Sequence, residues 1–161
     1  MTLLLERSLT HLDPVAESFA FGPETKDVLP TFQTRCTVVR LGSLDNEVLG
    51  VPRWSTLAEI WTEPGSAVRQ RWLDNPVVTV AADDGPGLVL ATLMPVIVFG
   101  ADNEAHDYAR SVIDGVRASC ASVLVVDMGH RLTGHTYADV ATFGFDPARG
   151  AALLGLLTGL A

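Results

Sequence analysis

Two apolar runs with a helical pattern between them organise the second half of the chain. Residues 95–99 (PVIVF) and 122–126 (SVLVV) are uninterrupted, and residues 105–120 place Ala109, Val112, Ile113, Val116 and Cys120 at a 3.6-residue spacing. Continuous apolar strands are those buried on both faces of a parallel sheet, so the pattern predicts β-α-β with a right-handed crossover. A polar stretch over 129–137 follows, then a short strand over 139–143. A last helix over 148–160 is opened by Asp146 at the N-cap and Pro147 in the first turn. That helix is apolar almost all round, which suits either a central position or docking against another surface.

The first half is less periodic. Residues 10–34 carry Asp13-Pro14, Gly22-Pro23 and Leu29-Pro30 and read as an irregular segment over the surface. Residues 35–41 (RCTVVRL) are β-branched and stop at Gly42, which predicts a strand, and Ser55 opens a short helix over 54–61. Residues 68–72 alternate Val68, Gln70 and Trp72 against Arg69 and Arg71, as a half-buried strand would. Residues 76–82 (PVVTVAA) read as a buried strand ended by Asp83-Asp84-Gly85-Pro86. The expected division is an irregular segment, 1–34, and a single α/β domain, 35–161.

Composition narrows the function classes. The 161 residues suffice for one core, and 48% hydrophobic against 19% charged is what a compact domain requires. A formal charge of −8, with ten scattered arginines and Lys26 alone, predicts no nucleic-acid partner and no anionic membrane surface. Leu3-Leu4-Leu5 is cut by Glu6 and Arg7, too short for a secretion signal, and no apolar stretch reaches a membrane span. The expected location is cytoplasmic. Cys36 and Cys120 lack metal spacing and read as reduced, mostly buried small hydrophobes.

In an open parallel sheet, ligands sit beyond the carboxyl ends of the strands. The segment Gly100-Ala101-Asp102-Asn103-Glu104 lacks the G-x-G-x-x-G fingerprint, so no nucleotide cofactor is expected, and Asp102 or Asn103 reads as a cap for the next helix. Asp127 and His130 end the most apolar strand. With His135 and Asp139 they form two carboxylates and two imidazoles in thirteen residues, enough for a divalent metal or an acid–base pair. The same four fit a hydrogen-bonding loop, because Gly129 and Gly134 mark tight turns and the spacing matches no metal motif. No catalytic or metal residue is assigned from them. His106 and His11 read as solvent-facing or capping, no serine sits in a G-x-S-x-G elbow, and Trp54, Trp61 and Trp72 read as core or interface rather than sugar platforms.

Residues 96–129 (VIVFGADNEAHDYARSVIDGVRASCASVLVVDMG), 137–144 (YADVATFG) and 148–159 (ARGAALLGLLTG) together resemble the C-terminal domain of glycoside hydrolase family 3 enzymes, notably the bacterial β-N-acetylhexosaminidase branch. Val126-Asp127-Met128-Gly129 fits that domain's acid-Met-Gly step at a strand end. Ala141-Thr142-Phe143-Gly144 fits the segment leading into its last helix, and Gly50-Val51-Pro52-Arg53-Trp54 is similar to a weaker family segment. His130-Arg131 departs from the family's apolar or Trp-Pro step, as does Phe145-Asp146-Pro147. The resemblance implies a three-layer α/β sandwich with a mostly parallel, Rossmann-like sheet. The family's catalytic barrel needs about 250 residues, so none of its motif residues carries over.

The expected function is therefore a noncatalytic accessory or binding module. It would assemble with itself or a larger sugar-active protein and take a carbohydrate ligand. The competing expectation is a small, glycosidase-related hydrolase using Asp127, His130, His135 and Asp139, with or without a divalent metal.

Overall fold

A computed structural model of the chain describes residues 18–42, 65–81, 94–100, 103–105, 107–129, 137–143 and 147–160. The two apolar runs are the middle of a six-stranded sheet. β4 (Val96–Gly100) is buried along its whole length and β5 (Val123–Asp127) along all but its first residue. They pair in parallel from Val96↔Val123 to Gly100↔Asp127. β2 (Thr37–Gly42) lies parallel to β4 on one side and to β3 (Val77–Ala81) on the other, and β6 (Val140–Ala141) lies parallel to β5. β1 (Ala20–Phe21) closes the far edge antiparallel to β6, giving the order β1-β6-β5-β4-β2-β3.

This order dictates the layers. The step from β2 to β3 moves outward in one direction and the step from β4 to β5 in the other, so right-handed crossovers place their helices on opposite faces. α3 (Asp107–Ser119) covers one face with Ala109, Val112, Ile113 and Val116 against Val39, Leu41, Val96, Val98 and Val125. The opposite face, built from Val38, Ile97, Phe99, Leu124 and Val126, is covered by α1 (Thr25–Phe32), α2 (Ala67–Leu73) and α4 (Pro147–Thr158). The architecture is a three-layer α/β sandwich with a mostly parallel sheet, as the sequence implies.

Three expectations change. Residues 68–72 are not a strand but the body of α2. The Ser66 hydroxyl caps the helix by accepting from the Arg69 N–H at 3.2 Å, and Val68 and Trp72, four apart, share the inward face of one turn. Residues 18–34 are not irregular, because they hold β1 and α1 and send Phe19, Leu29 and Phe32 into the core. Pro30 is tolerated inside this eight-residue helix, and the next N–H, that of Gln33, returns to the Pro30 carbonyl at 3.3 Å. β3 is an edge strand, with Val77 43% exposed, rather than a buried one. The helix expected over 54–61 and the loop expected over 130–136 lie outside the described residues.

The apolar last helix takes the central of its two alternatives. Ala152, Leu153, Leu154 and Leu157 are buried against the sheet, α1 and α2. Its end is tied down by polar bonds as well: Gln33 Nε2 donates to the Leu156 carbonyl at 3.0 Å, and Arg71 Nη2 donates to the Gln33 carbonyl at 2.6 Å. Gly159 takes φ 69 and closes the helix. Both cysteines are free. Burial pushes the Cys36 thiol up to about 12, so it is protonated and unreactive at neutral pH.

Trp72 packs edge-on against Phe99 with ring centroids 5.5 Å apart, which ties α2 to β4. Trp72→Ala is expected to lower stability by about 3–5 kcal/mol in urea denaturation, whereas Leu160→Ala, at a site 38% exposed, changes it by less than about 0.5 kcal/mol. The Cys36 thiol also imposes a pH dependence. Because its folded pKa lies above the ordinary 9.0, the unfolded chain releases this proton first, and stability falls as pH rises from 9 towards 12. Urea midpoints measured through that window should lose this component in Cys36→Ala.

Candidate functional site

The strand order reverses between β2 and β4, so the carboxyl edge of those strands is where a sheet of this type takes ligands. Leu41, Gly100 and Asp127 stand side by side there on the face covered by α3. Asn103 opens a short 3-10 turn (Asn103–Ala105) just beyond β4. Gly100 is required by that turn. A methyl group at Gly100 would overlap the Asn103 Oδ1 and lie 3.1 Å from its Cγ and 3.2 Å from Leu41 Cδ1.

Asp127 holds this edge together. Its carboxylate is 6% exposed, which is tolerable only because charge-assisted hydrogen bonds replace water. Oδ2 accepts from the Asn103 N–H at 3.0 Å and Oδ1 from the Gly129 N–H at 2.8 Å. The neighbouring backbone continues the clamp: the Met128 N–H donates to the Gly100 carbonyl at 2.9 Å, and the Thr142 N–H donates to the Asp127 carbonyl at 3.0 Å. One residue thus joins the ends of β4, β5 and β6. Phe143 follows at φ 60, a left-handed backbone unusual for an aromatic, and Arg149 Nε donates to the Thr142 carbonyl at 3.1 Å.

Asp139 does parallel work at a different level of the sheet. Its Oδ2 accepts from the Val125 N–H at 2.8 Å, its own N–H donates to the Val125 carbonyl at 2.8 Å, and its carbonyl accepts from the Gly22 N–H at 2.8 Å. Arg117 stands 3.7 Å away and screens the charge. The two carboxylates therefore bind different peptide groups, Asp127 those of Asn103 and Gly129 and Asp139 that of Val125, and each is directed at backbone. His130 and His135, with His106 and His11, lie outside the described residues. Among the described residues, no group of three or more His, Cys, Asp and Glu side chains is placed to hold a metal, and no helix is long and apolar enough to cross a membrane.

Sequence reasoning missed two participants. Glu104 accepts the Tyr137 N–H on Oε1 at 3.0 Å, so adjacent residues of one turn bond to the Asp127 carboxylate before residues 130–136 and to the Tyr137 peptide N–H after them. Either Asp102 or Asn103 is the cap that the sequence predicts for the next helix. Asp102 lies outside the described residues, and it is the Asn103 main chain, not its side chain, that is anchored. The signal available in sequence was Gly100 three residues before an Asn, which is intelligible only once the side chain is seen lying over the glycine.

No family model matches this chain, and no curated protein matches it. Among solved structures, the fold is similar to a chain described as holding a unique GCN5-related glucosamine N-acetyltransferase region in the fungal multi-domain GH3 β-N-acetylglucosaminidase. The TM-score is 0.51 with 12% identity, over 79% of this chain and 14% of that one. At that identity the likeness shows the fold alone: an α/β sheet of this topology, found within a protein of the glycoside hydrolase family named above, fungal rather than of the bacterial branch.

The clamp has a measurable weight. Asp127→Ala leaves the Asn103 and Gly129 amides without their acceptor and should lower stability by about 1.5–3 kcal/mol. Gly100→Ala should cost about 1–3 kcal/mol through overlap with Asn103. Urea denaturation checks both values, and amide hydrogen exchange should show Asn103 and Gly129 losing protection first in Asp127→Ala.

Proposed function

We propose that the chain is a noncatalytic accessory module, related to the C-terminal domain of family 3 glycoside hydrolases, that binds carbohydrate and assembles with itself or with a larger sugar-active protein. The observation that carries the noncatalytic part is the state of Asp127. A carboxylate at the end of the most apolar strand would be the natural acid, base or nucleophile of a hydrolase, and here both of its oxygens accept backbone N–H groups. Asp139 is likewise engaged, by the Val125 N–H of β5. Glycoside hydrolysis by two carboxylates needs both to face one bond, and this pair accepts from three separate peptide groups, those of Asn103, Gly129 and Val125.

The carbohydrate part is supported by the quoted family segments and by the fold it shares with part of a multi-domain β-N-acetylglucosaminidase. In that comparison the matching region is a minor part of a long chain, which suits a unit that works beside others. Fold alone does not carry function, so the test is chemical. Isothermal titration with N-acetylglucosamine and its β-1,4-linked oligomers is expected to give saturable binding. p-Nitrophenyl N-acetyl-β-glucosaminide is expected to remain intact. Hydrolysis of that substrate, abolished in a folded Asp127→Ala variant, would establish the hydrolase instead. Light scattering reads the assembly part, with a mass above that of one chain expected at micromolar concentration.

A further inference from the structure

The two edges of the sheet are built differently. β1 is two residues long, and so short a strand offers a neighbour little to pair with. β3 offers five residues, VVTVA, with no charge and no proline among them. Its inner side is taken by β2. The Val38 N–H donates to the Pro76 carbonyl at 2.8 Å, and the parallel register runs one to one, without a bulge, from Val38↔Val77 to Gly42↔Ala81. In that ladder Val78 and Val80 turn their peptide groups to β2. Alternation then directs the N–H and C=O of Val77, Thr79 and Ala81 outward, and among the described residues no strand lies on that side. Val77 opens the strand 43% exposed. Charges, prolines and bulges are what unpaired edges carry to prevent pairing, and β3 has none of them.

Main-chain groups at this spacing fit an extended backbone and not a helix, because only a strand repeats N–H and C=O along one edge at every second residue. Charge then selects among strands. Asp74, exposed at the end of α2, precedes β3, and Asp83-Asp84 follow it in sequence. A second copy laid antiparallel sets acidic end against acidic end, and one laid parallel sets Asp74 against Asp74, in a chain whose net charge is already −8. A strand with basic residues at both ends meets attraction instead. We infer that β3 is a strand-addition surface, on which an extended segment of another polypeptide, β-branched along its core and carrying Lys or Arg at both ends, continues the sheet. The inference rests on the assembly part of the reading above, and it names where a partner chain joins and what chemistry that chain presents. Carbohydrate binding does not enter it.

The probe is the acetylated, amidated heptapeptide Lys-Val-Thr-Val-Thr-Val-Lys, titrated into the full chain while amide hydrogen exchange is followed residue by residue. The Val77, Thr79 and Ala81 amides are expected to slow by about tenfold once nine-tenths of the chain is bound, since exchange then runs through the unbound fraction. Val78 and Val80, already bonded to β2, change little. Replacing both lysines of the probe by glutamate should weaken binding by about tenfold at low salt, and the difference should shrink as salt rises. Thr79→Pro removes the central outward N–H and spares the bonds to β2, so it should abolish the slowing. A probe N-methylated at its five central residues gives the same reading without altering the protein. Equal binding of the lysine and glutamate probes overturns the inference. Outward amides already protected in the free chain also overturn it, showing a second copy if the protection falls on dilution and a segment of the same chain if it does not. No slowing with the lysine probe, beside a light-scattering mass above one chain, overturns the strand-addition surface and leaves self-assembly standing. No slowing beside the mass of one chain overturns the inference together with self-assembly.

Discussion

The Asp127 carboxylate is the constraint on which the carboxyl edge of the sheet depends. Strands covered on both faces, as β4 and β5 are, end in peptide groups that have left water behind and that no ladder continues to satisfy. Asp127 meets that need from inside the sheet, taking the Asn103 amide from the connection after β4 and the Gly129 amide from its own. The Thr142 N–H brings β6 to the same residue. An apolar side chain at this place would leave those amides unpaired.

The same bonds decide what the edge can do. A carboxylate with both oxygens already accepting backbone N–H groups is aimed at backbone, so it is poorly placed to take up a proton from a substrate or attack one. Its role is structural: it fixes the position from which Asn103 extends its side chain. Asn103 in turn lies over Gly100, and the pair shapes the reversal point of the strand order.

The parts of this fold that were legible in sequence are those in which one periodicity runs long enough to exclude others. β4, α3 and β5 satisfy that condition, because thirteen residues of α3 repeat their apolar positions at 3 and 4 while its flanking strands are uniformly apolar. α2 does not. Val68, Gln70 and Trp72 alternate as in a strand, yet Val68 and Trp72 are also four apart, and in seven residues the Ser66 cap decides. Pro23 and Pro30 misdirect the reading of residues 18–34, since Pro30 sits in a helix whose following N–H turns back to it. At the edge of the sheet, Asp127 was visible as a strand-end acid, but its partners were not: an N–H twenty-four residues away leaves no trace in spacing. Asp139 lies close in sequence and binds a different level of β5 because a parallel neighbour brings it alongside Val125.

The covered last helix bears on how such a module could meet a partner. In sequence α4 resembles a docking surface, since nothing in Leu153, Leu154, Leu156 and Leu157 distinguishes a helix awaiting another protein from one already covered by its own. In the folded chain α1 and α2 cover it, with Gln33 and Arg71 bonded across the seam. Residues 18–34, which supply α1, are therefore what makes the domain self-sufficient on that face. On the other face α3 packs against the sheet in the same way.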